Sequence, residues 1–578
     1  MAFTTPTKTP TKRPAFAAEA GVGKTRPTGA SPAYSSRRHS LYGIEDRVVL
    51  DLGSRTWKVG FSGEPDPRAV FFARGSSTRD QSSEAWDLDL DSVNAIRGSR
   101  SEGDRLIGIR IVERLREVFA KHLLADSKQR KVIVAENTFL PTYLKEHIAR
   151  TLFDNLRVPS VAFTPSSLLA LGSCGRITGL VVDVGWLETS ITPVYNSRPL
   201  FALSRSTPLA GRKLHTRVRS LLHLYGSYIA PPKSLGDLSR DRSEGVPLAL
   251  LDDAFVEKVV TEGLFVGGVF VELEDNDDAE MEDPGDIDEA KSEKLEDLHL
   301  VRSLKGRYQP SSSAKDMTFS VPPPTGVATM GYGTIMVPGW VRERAAEVLF
   351  EDDESDEAEA LPLAILSSIL KLPVDLRPEL ISTILVVGGT SSLPNFIPRL
   401  RISLLQNLLP PPSLSSDEPP PPPSPIGTLA SKLEDAKLWR HRKFQPYQEI
   451  YGLFDKVAIL NDPAPVDGAG NGKGGRAPRW VPSLMTWVGG SLAGSLRTGG
   501  PEMTRETYDT LLSASLARGE VYREELEEAY ASVAASVGAS VEDLRVGEAV
   551  KDARGLGRRR GWRYGKGVIE DWSQTVKV

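Results

Sequence analysis

Four residues near the start of the chain have the types and spacing of a phosphate-binding turn. They are Asp51, Gly53, Ser54 and Lys58, in the segment VVLDLGSRTWKVGFSG at residues 48–63. Glycine lets the backbone approach a ligand closely, and successive N–H groups of a turn form a concavity that binds anions. The segment therefore predicts a β-hairpin whose turn contacts a phosphate group, with Lys58 as a further positive contact.

The same design occurs a second time in the segment LVVDVGWLETSITPVY, at residues 180–195. Asp183 and Gly185 stand where Asp51 and Gly53 stand in the first copy. Two such turns facing each other would hold a phosphate chain, and the two aspartates would hold Mg²⁺ through water, because this small cation keeps several of its waters. A single Asp-x-Gly turn is also an ordinary hairpin connection, so the duplication is what favours a ligand site.

A third segment, TILVVGGTSSLPNFIPRL at residues 383–400, runs from an apolar strand into the pair Gly388 and Gly389. Thr390 follows the pair, and Pro394 stands near the start of a predicted helix. A glycine pair between a strand and a helix makes room for a flat ligand or a phosphate at the helix N-terminus. The predicted cofactor-binding residues are therefore Asp51, Gly53, Ser54, Lys58, Asp183, Gly185, Gly388, Gly389 and Thr390.

Strand and helix patterns alternate around these turns. Apolar residues at helical spacing predict helices at residues 108–124, 141–156, 165–173 and 211–225. Continuous apolar runs predict strands at residues 131–137, 158–163 and within 179–204. The alternation predicts an α/β fold of packed layers, and the repeated hairpin predicts two related halves.

The composition excludes several classes of protein. The chain has 578 residues, of which 40% are hydrophobic and 25% charged, so it is long enough for two or more domains with proper cores. A net charge of -5 gives no strong field that would attract nucleic acid. No apolar run is long enough for a membrane span. The single cysteine, Cys174, allows no intrachain disulfide and agrees with a reducing compartment such as the cytoplasm.

Several stretches of biased composition separate the predicted elements. We expect residues 1–43 to be a disordered tail and the acidic stretch 272–314 to be an insertion into the folded body. A proline-rich and a glycine-rich stretch, from residues 409 and 461, are predicted to be further insertions. The predicted body spans residues 44–510: a first half (44–178) with a small polar subdomain (72–105), a second half (179–405), a return to the first half (406–510), and then a C-terminal extension (511–578).

At this point the chain resembles the actin family. The matching segments are DLGSRTWKVGFSGEPDPRAVF from Asp51, PLAGRKL from Pro208, VVGGTSSLP from Val386 and TWVGGSLAGSL from Thr486. They occur in the family's order between about residues 46 and 510. The resemblance implies the actin fold, with two ribonuclease H-like α/β halves around a cleft that holds ATP or ADP with Mg²⁺.

The departures from actin are concentrated in the cleft. Arg55 stands where actin has a glycine, and Trp186 and Leu187 replace an Asp-Gly pair. Ser166 aligns with the glutamine that positions water in actin, and Ser190 aligns with its partner histidine. Hydrolysis of a γ-phosphate needs a positioned water. The resemblance therefore implies a degenerate ATPase without catalytic residues, which binds a nucleotide but does not hydrolyse it efficiently.

The segment after the first hairpin also departs from actin. In actin it builds a subdomain whose apolar loop inserts into the next subunit at the pointed end, whereas residues 72–105 are shorter and polar here. Interfaces need a desolvated apolar core, so the segment predicts a subunit that caps a filament. Residues 119–137, 158–175 and 184–200 are similar to the divergent actin-related proteins at the pointed end of dynactin. That similarity implies dynactin filament subunits and pointed-end adaptor subunits as partners, dynein as an indirect partner, and a cytoplasmic, cytoskeletal location.

Two other functions remain open. One is a nuclear actin-related subunit of a chromatin-remodelling complex, which would also be non-polymerising and rich in insertions. The basic runs at residues 35–39 and 557–567 are then nuclear signals, and otherwise they are solvated tails. An active ATPase of the actin or sugar-kinase type is the other alternative, and Ser166 and Leu187 argue against it.

Overall fold

The structure is a computed structural model that describes residues 47–73, 100–232, 242–269, 298–322, 331–352, 358–409, 446–463 and 481–517. All of these residues belong to a compact unit that spans Asp46–Val578. The predicted tail at residues 1–43 and the proline-rich and glycine-rich insertions, apart from a few residues at their ends, lie outside the described residues.

The described strands are short and mostly buried. In chain order they are β1 (Val48–Leu52), β2 (Thr56–Phe61), β3 (Ala69–Phe72), β4 (Val132–Glu136), β5 (Ser160–Pro165), β6 (Gly179–Val184), β7 (Thr189–Tyr195), β8 (Arg198–Pro199), β9 (Arg205–Thr207), β10 (Ser227–Ile229), β11 (Ser243–Gly245), β12 (Met317–Val321), β13 (Gly333–Val337), β14 (Ile384–Val387) and β15 (Met503–Thr504).

The α-helices alternate with these strands along much of the chain. They are α1 (Arg100–Glu117), α2 (Thr142–Arg150), α3 (Ser166–Ser173), α4 (Gly211–Tyr225), α5 (Asp253–Glu262), α6 (Leu298–Tyr308), α7 (Gly339–Arg344), α8 (Leu361–Lys371), α9 (Arg377–Ile381), α10 (Phe396–Leu408), α11 (Met485–Leu496) and α12 (Arg505–Ala517). The predicted helix at residues 211–225 is confirmed as α4, and the helix predicted at 165–173 is α3. The predicted α/β fold is confirmed.

The strands form three sheets. The first has the order β15-β5-β4-β1-β2-β3, the second has β14-β6-β7-β8 with β9 also paired to β7, and the third has β11-β10-β13-β12. The first and second sheets contain the same unit, a hairpin flanked by a parallel strand. In the first sheet this unit is β1–β2 beside β4, and in the second it is β6–β7 beside β14. The repeat seen in the sequence is therefore a repeat of structure.

The registers of the two units agree residue by residue. Asp51 pairs with Lys58 across the first hairpin, and Asp183 pairs with Ser190 across the second. Each aspartate also lies beside the parallel strand, opposite Ala135 of β4 or Val387 of β14. The two aspartates therefore occupy equivalent places, one near the end of each central strand.

Each of these two sheets has its own apolar core. Val48, Leu50 and Trp57 are buried in the first, and Leu180 and Val182 are buried in the second. Helices α3 and α11 pack against each other, and the buried indole Nε1 of Trp487 on α11 donates a hydrogen bond to the Val49 carbonyl oxygen of β1 at 3.2 Å. The first core with its sheet is called the first half below, and the second core with the other two sheets is called the second half.

The boundary predicted at residue 406 is wrong. Leu408, Tyr447, Ile450 and Ile459 are buried in the core of the second half, not the first. Ile384 of β14 makes a β-bridge with Ile459, which holds this segment against the second sheet. In the described residues, the chain turns to the first half from α11 onward.

Three predicted segment limits also need correction. The stretch 272–314 contains α6, where Val301, Leu304 and Tyr308 are buried in the second core because they share one face of the helix. Only residues 272–297 of that stretch lie outside the described residues. Helix α1 begins at Arg100, inside the predicted polar subdomain, and α12 continues past residue 510, with Tyr508 buried in the first core.

Candidate functional site

All nine predicted cofactor-binding residues line one cavity. It has a volume of about 300 Å³ and lies between the two hairpin turns, the glycine pair after β14, the start of α4 and one face of α5. It is therefore placed between the first and the second half. Thirteen further residues line it, namely Arg55, Thr56, Asn137, Trp186, Gly211, Leu214, His215, Glu257, Val260, Thr261, Ser392, Leu393 and Pro394.

The glycine pair is held against the second turn by close backbone contacts. Gly388 has a φ of +101°, and a β-carbon placed on it would lie 2.3 Å from the Val184 carbonyl oxygen. The Thr390 hydroxyl donates a hydrogen bond to the Gly185 carbonyl oxygen at 2.8 Å. A 3-10 turn at Thr390–Ser392 follows, so α10 begins at Phe396 and not directly after the glycines.

The three charged residues among the nine lie close together. The Lys58 ammonium donates a hydrogen bond to the Asp51 carboxylate at 2.7 Å, and both side chains are largely buried. Burial and, to a smaller extent, the negative charge of Asp51 raise the pKa of Asp183 to about 6, against the opposing effect of Lys58. Lys58 is therefore already paired with Asp51.

Arg55 joins the two halves across the cavity. Its guanidinium donates a hydrogen bond from Nη2 to Glu257 Oε2 on α5, at 2.9 Å. The same guanidinium stacks on the Trp186 indole in the second turn, with its carbon 3.6 Å from the ring centroid. Arg55 therefore makes an ion pair and a cation–π contact with the opposite half at the same time.

His215 on α4 supports this arrangement from the side of the second half. Its Nε2 lies 3.0 Å from Glu257 Oε2, and its ring packs edge-on against Trp186 with 4.6 Å between the ring centroids. Burial lowers the pKa of His215, so the ring is neutral near pH 7 and donates from Nε2 to the carboxylate. Burial alone would raise the pKa of Glu257, but the hydrogen bond from His215 and the charge of Arg55 bring it below its ordinary value.

The described residues fit a nucleotide only in part. Gly389, Thr390 and Leu393 line one side of the cavity. This side has free space, because a β-carbon on Gly389 would meet no atom within 4 Å. A polyphosphate would need positive charge near the turns. There Lys58 is bound to Asp51 and Arg55 is bound to Glu257, so the residues do not fit a polyphosphate while the Arg55–Glu257 pair is closed.

The cation predicted to lie between the aspartates has few ligands. Asp51 and Asp183 both line the cavity, but no group of three or more His, Cys, Asp or Glu side chains arranged to hold a metal occurs among the described residues.

No helix among the residues that the structure describes is long and apolar enough to span a membrane.

Three residues that the sequence singled out lie away from the cavity wall. Ser166 is buried at the start of α3, Ser190 lies on β7, and neither lines the cavity. Leu187 does not line it either, whereas its neighbour Trp186 and Arg55 of the first turn do.

Sequence reasoning missed Glu257 and His215. Glu257 lies 202 positions from Arg55 in the sequence, and no motif surrounds it. His215 belongs to the segment GRKLHTRV, whose helical pattern predicts α4 but gives no signal for a polar contact on its inner side. The one sequence signal for Glu257 is indirect: Arg55, an arginine predicted to lie inside a cleft, requires an acidic partner.

Two α/β halves that share a hairpin-and-strand unit, with a cavity between their hairpin turns, are typical of the class of proteins that bind a ligand in a cleft between two related domains. A family model described as "Actin" matches residues 45–244 and 293–417, which together are more than half of the chain. The chain therefore belongs to the actin family, whose members typically bind a nucleotide.

Individual relatives are distant. The chain is 25% identical over 406 residues to actin-related protein 4 of Arabidopsis thaliana, covering 63% of this chain and 87% of the relative. It is 20% identical over 494 residues to actin-related protein 10 of Dictyostelium discoideum, covering 80% and 85%. It is 23% identical over 378 residues to human actin-like protein 9, covering 62% and 75%.

Proposed function

We propose that this chain is a non-polymerising actin-related subunit. It caps the pointed end of a dynactin-type filament and links it to pointed-end adaptor subunits, in support of dynein-driven transport in the cytoplasm. The observation that carries the proposal is the composition of residues 74–99, between β3 and α1. This segment contains no two adjacent large apolar residues, and charged or small residues interrupt it throughout. Such a composition is poor in the contiguous apolar residues that form the core of an interface with a further subunit.

The similarity to actin-related proteins, rather than to a polymer-forming actin alone, supports this role. The alignment with the Dictyostelium actin-related protein 10 is the longest of the three reported above. The resemblance of residues 119–137, 158–175 and 184–200 to the pointed-end subgroup points in the same direction.

We also propose that the protein does not turn over ATP. Ser166 and Ser190 stand where actin has the glutamine and histidine that position water, and neither lines the cavity. A phosphate-release assay on the purified full chain with Mg²⁺ and ATP should give no sustained release, with actin as the positive control. Sustained turnover above the rate of a heat-denatured sample would contradict this part of the proposal.

The capping proposal is tested directly by electron microscopy. The purified, labelled chain should remain monomeric at concentrations where actin polymerises, and it should bind short dynactin-type filaments at one end only. Labels along the filament sides, or at both ends equally, would overturn the proposal.

A graft tests whether the polar segment is what blocks further addition. An apolar actin-like loop inserted between Arg74 and Asp104 should partly restore addition of another subunit. A polar loop of equal length at the same place is the matched control and should restore none. Equal effects of the two grafts would show that the block lies elsewhere.

The alternative, a nuclear subunit of a chromatin-remodelling complex, is separated by location and partners. Cell fractionation and identification of proteins that co-purify with the tagged full chain should recover cytoskeletal filament and adaptor subunits. Recovery in the nuclear fraction with chromatin-remodelling subunits would favour the alternative and contradict the capping role.

A further inference from the structure

We propose that Arg55, Trp186 and Glu257 form a latch that keeps the two halves closed without a nucleotide. The inference rests on the contacts around the cavity and does not depend on whether the protein caps a filament. It assigns to three side chains of this protein the bridging role between the halves that a bound nucleotide would otherwise have.

The latch begins in the first half and ends in the second. Arg55 lies in the turn between β1 and β2 of the first sheet, whereas Trp186 lies between β6 and β7 of the second sheet. Glu257 is on α5, whose Phe255, Val256 and Val259 are buried in the second core. Opening the cleft would therefore break the ion pair and the stacking contact together.

The chemistry of the three side chains suits this role. A planar guanidinium pairs with a carboxylate and stacks on an aromatic face at once, which an ammonium group does less well. The side chain of Arg55 is only 14% exposed and that of Glu257 26% exposed, so salt screens the pair less than it would screen a surface pair. The second bond of Glu257, to His215 Nε2, fixes the carboxylate in the position that Arg55 requires.

The latch also makes a nucleotide a competitor. A polyphosphate entering the cavity would have to take the Arg55 guanidinium away from Glu257, and it would approach Asp183 and Asp51, of which Asp51 is already paired with Lys58. Binding would therefore exchange one closed arrangement for another. The expected property is a protein whose closure is independent of nucleotide.

The test measures the distance between the halves in the full chain. Spin labels on Val70→Cys and Val374→Cys, in a Cys174→Ser background, report from exposed positions of the first and second halves. Pulsed electron paramagnetic resonance gives the distribution of distances between the two labels. It is measured after treatment with apyrase and EDTA, and again after addition of Mg²⁺ and ATP. The expected result is one narrow distribution that is the same in both conditions.

Variants show whether the latch causes this independence. Arg55→Gln and Glu257→Gln should each give a longer or broader distribution without nucleotide, and Mg²⁺ with ATP should narrow it. Arg205→Gln is the matched control, because it removes an ion pair to Glu359 at 3.2 Å that lies within the second half, and it should behave as the unmodified chain.

Two results would overturn the proposal. One is an unmodified chain that opens when nucleotide is removed, a measurement that needs no latch variant to fold. The other is a folded Arg55→Gln variant that stays closed without nucleotide. Both are independent of filament capping, since the isolated chain is measured.

Discussion

The two hairpin turns follow the same backbone path and have the same aspartate and glycine, but their other cavity-lining side chains differ. A β-carbon on Gly53 would lie 2.8 Å from the Thr56 carbonyl oxygen, and one on Gly185 would lie 2.9 Å from that of Glu188. The aspartates that precede these glycines also hold equivalent registers. The repeated feature is therefore the path of the chain, which glycine at this point permits.

The side chains have diverged into complementary pairs. Ser54 and Arg55 of the first turn stand opposite Trp186 and Leu187 in the alignment of the two units. The contact between Arg55 and Trp186 joins positions that are not equivalent, since Trp186 is the counterpart of Ser54. The two turns therefore place a cation against an aromatic ring.

The largest change in stability should come from substitution of Gly388, whose backbone packs against the second turn only. Gly388→Ala should lower the free energy of unfolding by about 3 kcal/mol or more, because the new β-carbon would meet the Val184 carbonyl oxygen at a φ of +101°. Its counterpart in the first half is Glu136, the last residue of β4, so the first turn has no such requirement. Urea unfolding of the purified variant gives the value.

Gly389→Ala is the control for that substitution. Its φ is -64° and a β-carbon there has open space, so the change should stay within about 1 kcal/mol. A loss for Gly389→Ala as large as that for Gly388→Ala would show that the strain argument is wrong.

The shared backbone predicts equal effects of the next pair. Gly53→Ala and Gly185→Ala should each lower the free energy of unfolding by about 1–2 kcal/mol, because each β-carbon is too close to a carbonyl oxygen three residues on. Urea unfolding of both variants should give values that agree within about 0.5 kcal/mol. A difference of more than about 1 kcal/mol would mean that the two turns are not equivalent in energy.

The two aspartates should respond with opposite signs. Asp51→Asn removes the charge that pairs with the buried Lys58 but keeps an oxygen that accepts its hydrogen bond, so it should lower stability by about 1–2 kcal/mol at pH 7.5. Asp183→Asn should raise it by up to about 3 kcal/mol at that pH, because a pKa of about 6 in place of 3.8 means that the folded protein disfavours the charged carboxylate.

The pH dependence of Asp183→Asn follows from the raised pKa. The folded protein holds the Asp183 proton up to about pH 6, whereas the unfolded chain releases it near its ordinary value. The unmodified protein thus loses stability as pH rises through that interval, so the gain of the variant should be full above about pH 6 and absent below about pH 4. Urea unfolding at pH 4 and pH 7.5 checks this, and a gain that grows toward low pH would be the contrary result.

The sequence by itself determined the repeat and the parts of the site that lie in it. The spacing of Asp51, Gly53, Asp183 and Gly185 gave both hairpin turns, and a helical apolar pattern gave α4 to the residue. These features are local, since a turn or a helix depends on residues within a few positions. Helix α6 was not predicted from the sequence and was assigned to the acidic insertion. Its apolar residues Val301, Leu304 and Tyr308 are separated by polar residues and follow a long run of charges.

The tertiary structure decided what fills the cleft. Arg55 meets Glu257 across 202 positions, and the contact requires α5 to pack on the second core with Glu257 turned toward the cavity. No local pattern encodes that rotation, because the same apolar face of α5 would be buried whether its polar residue were Glu257 or a neutral one. The pairing of the two halves therefore appears only when the helix, both turns and both cores are in place together.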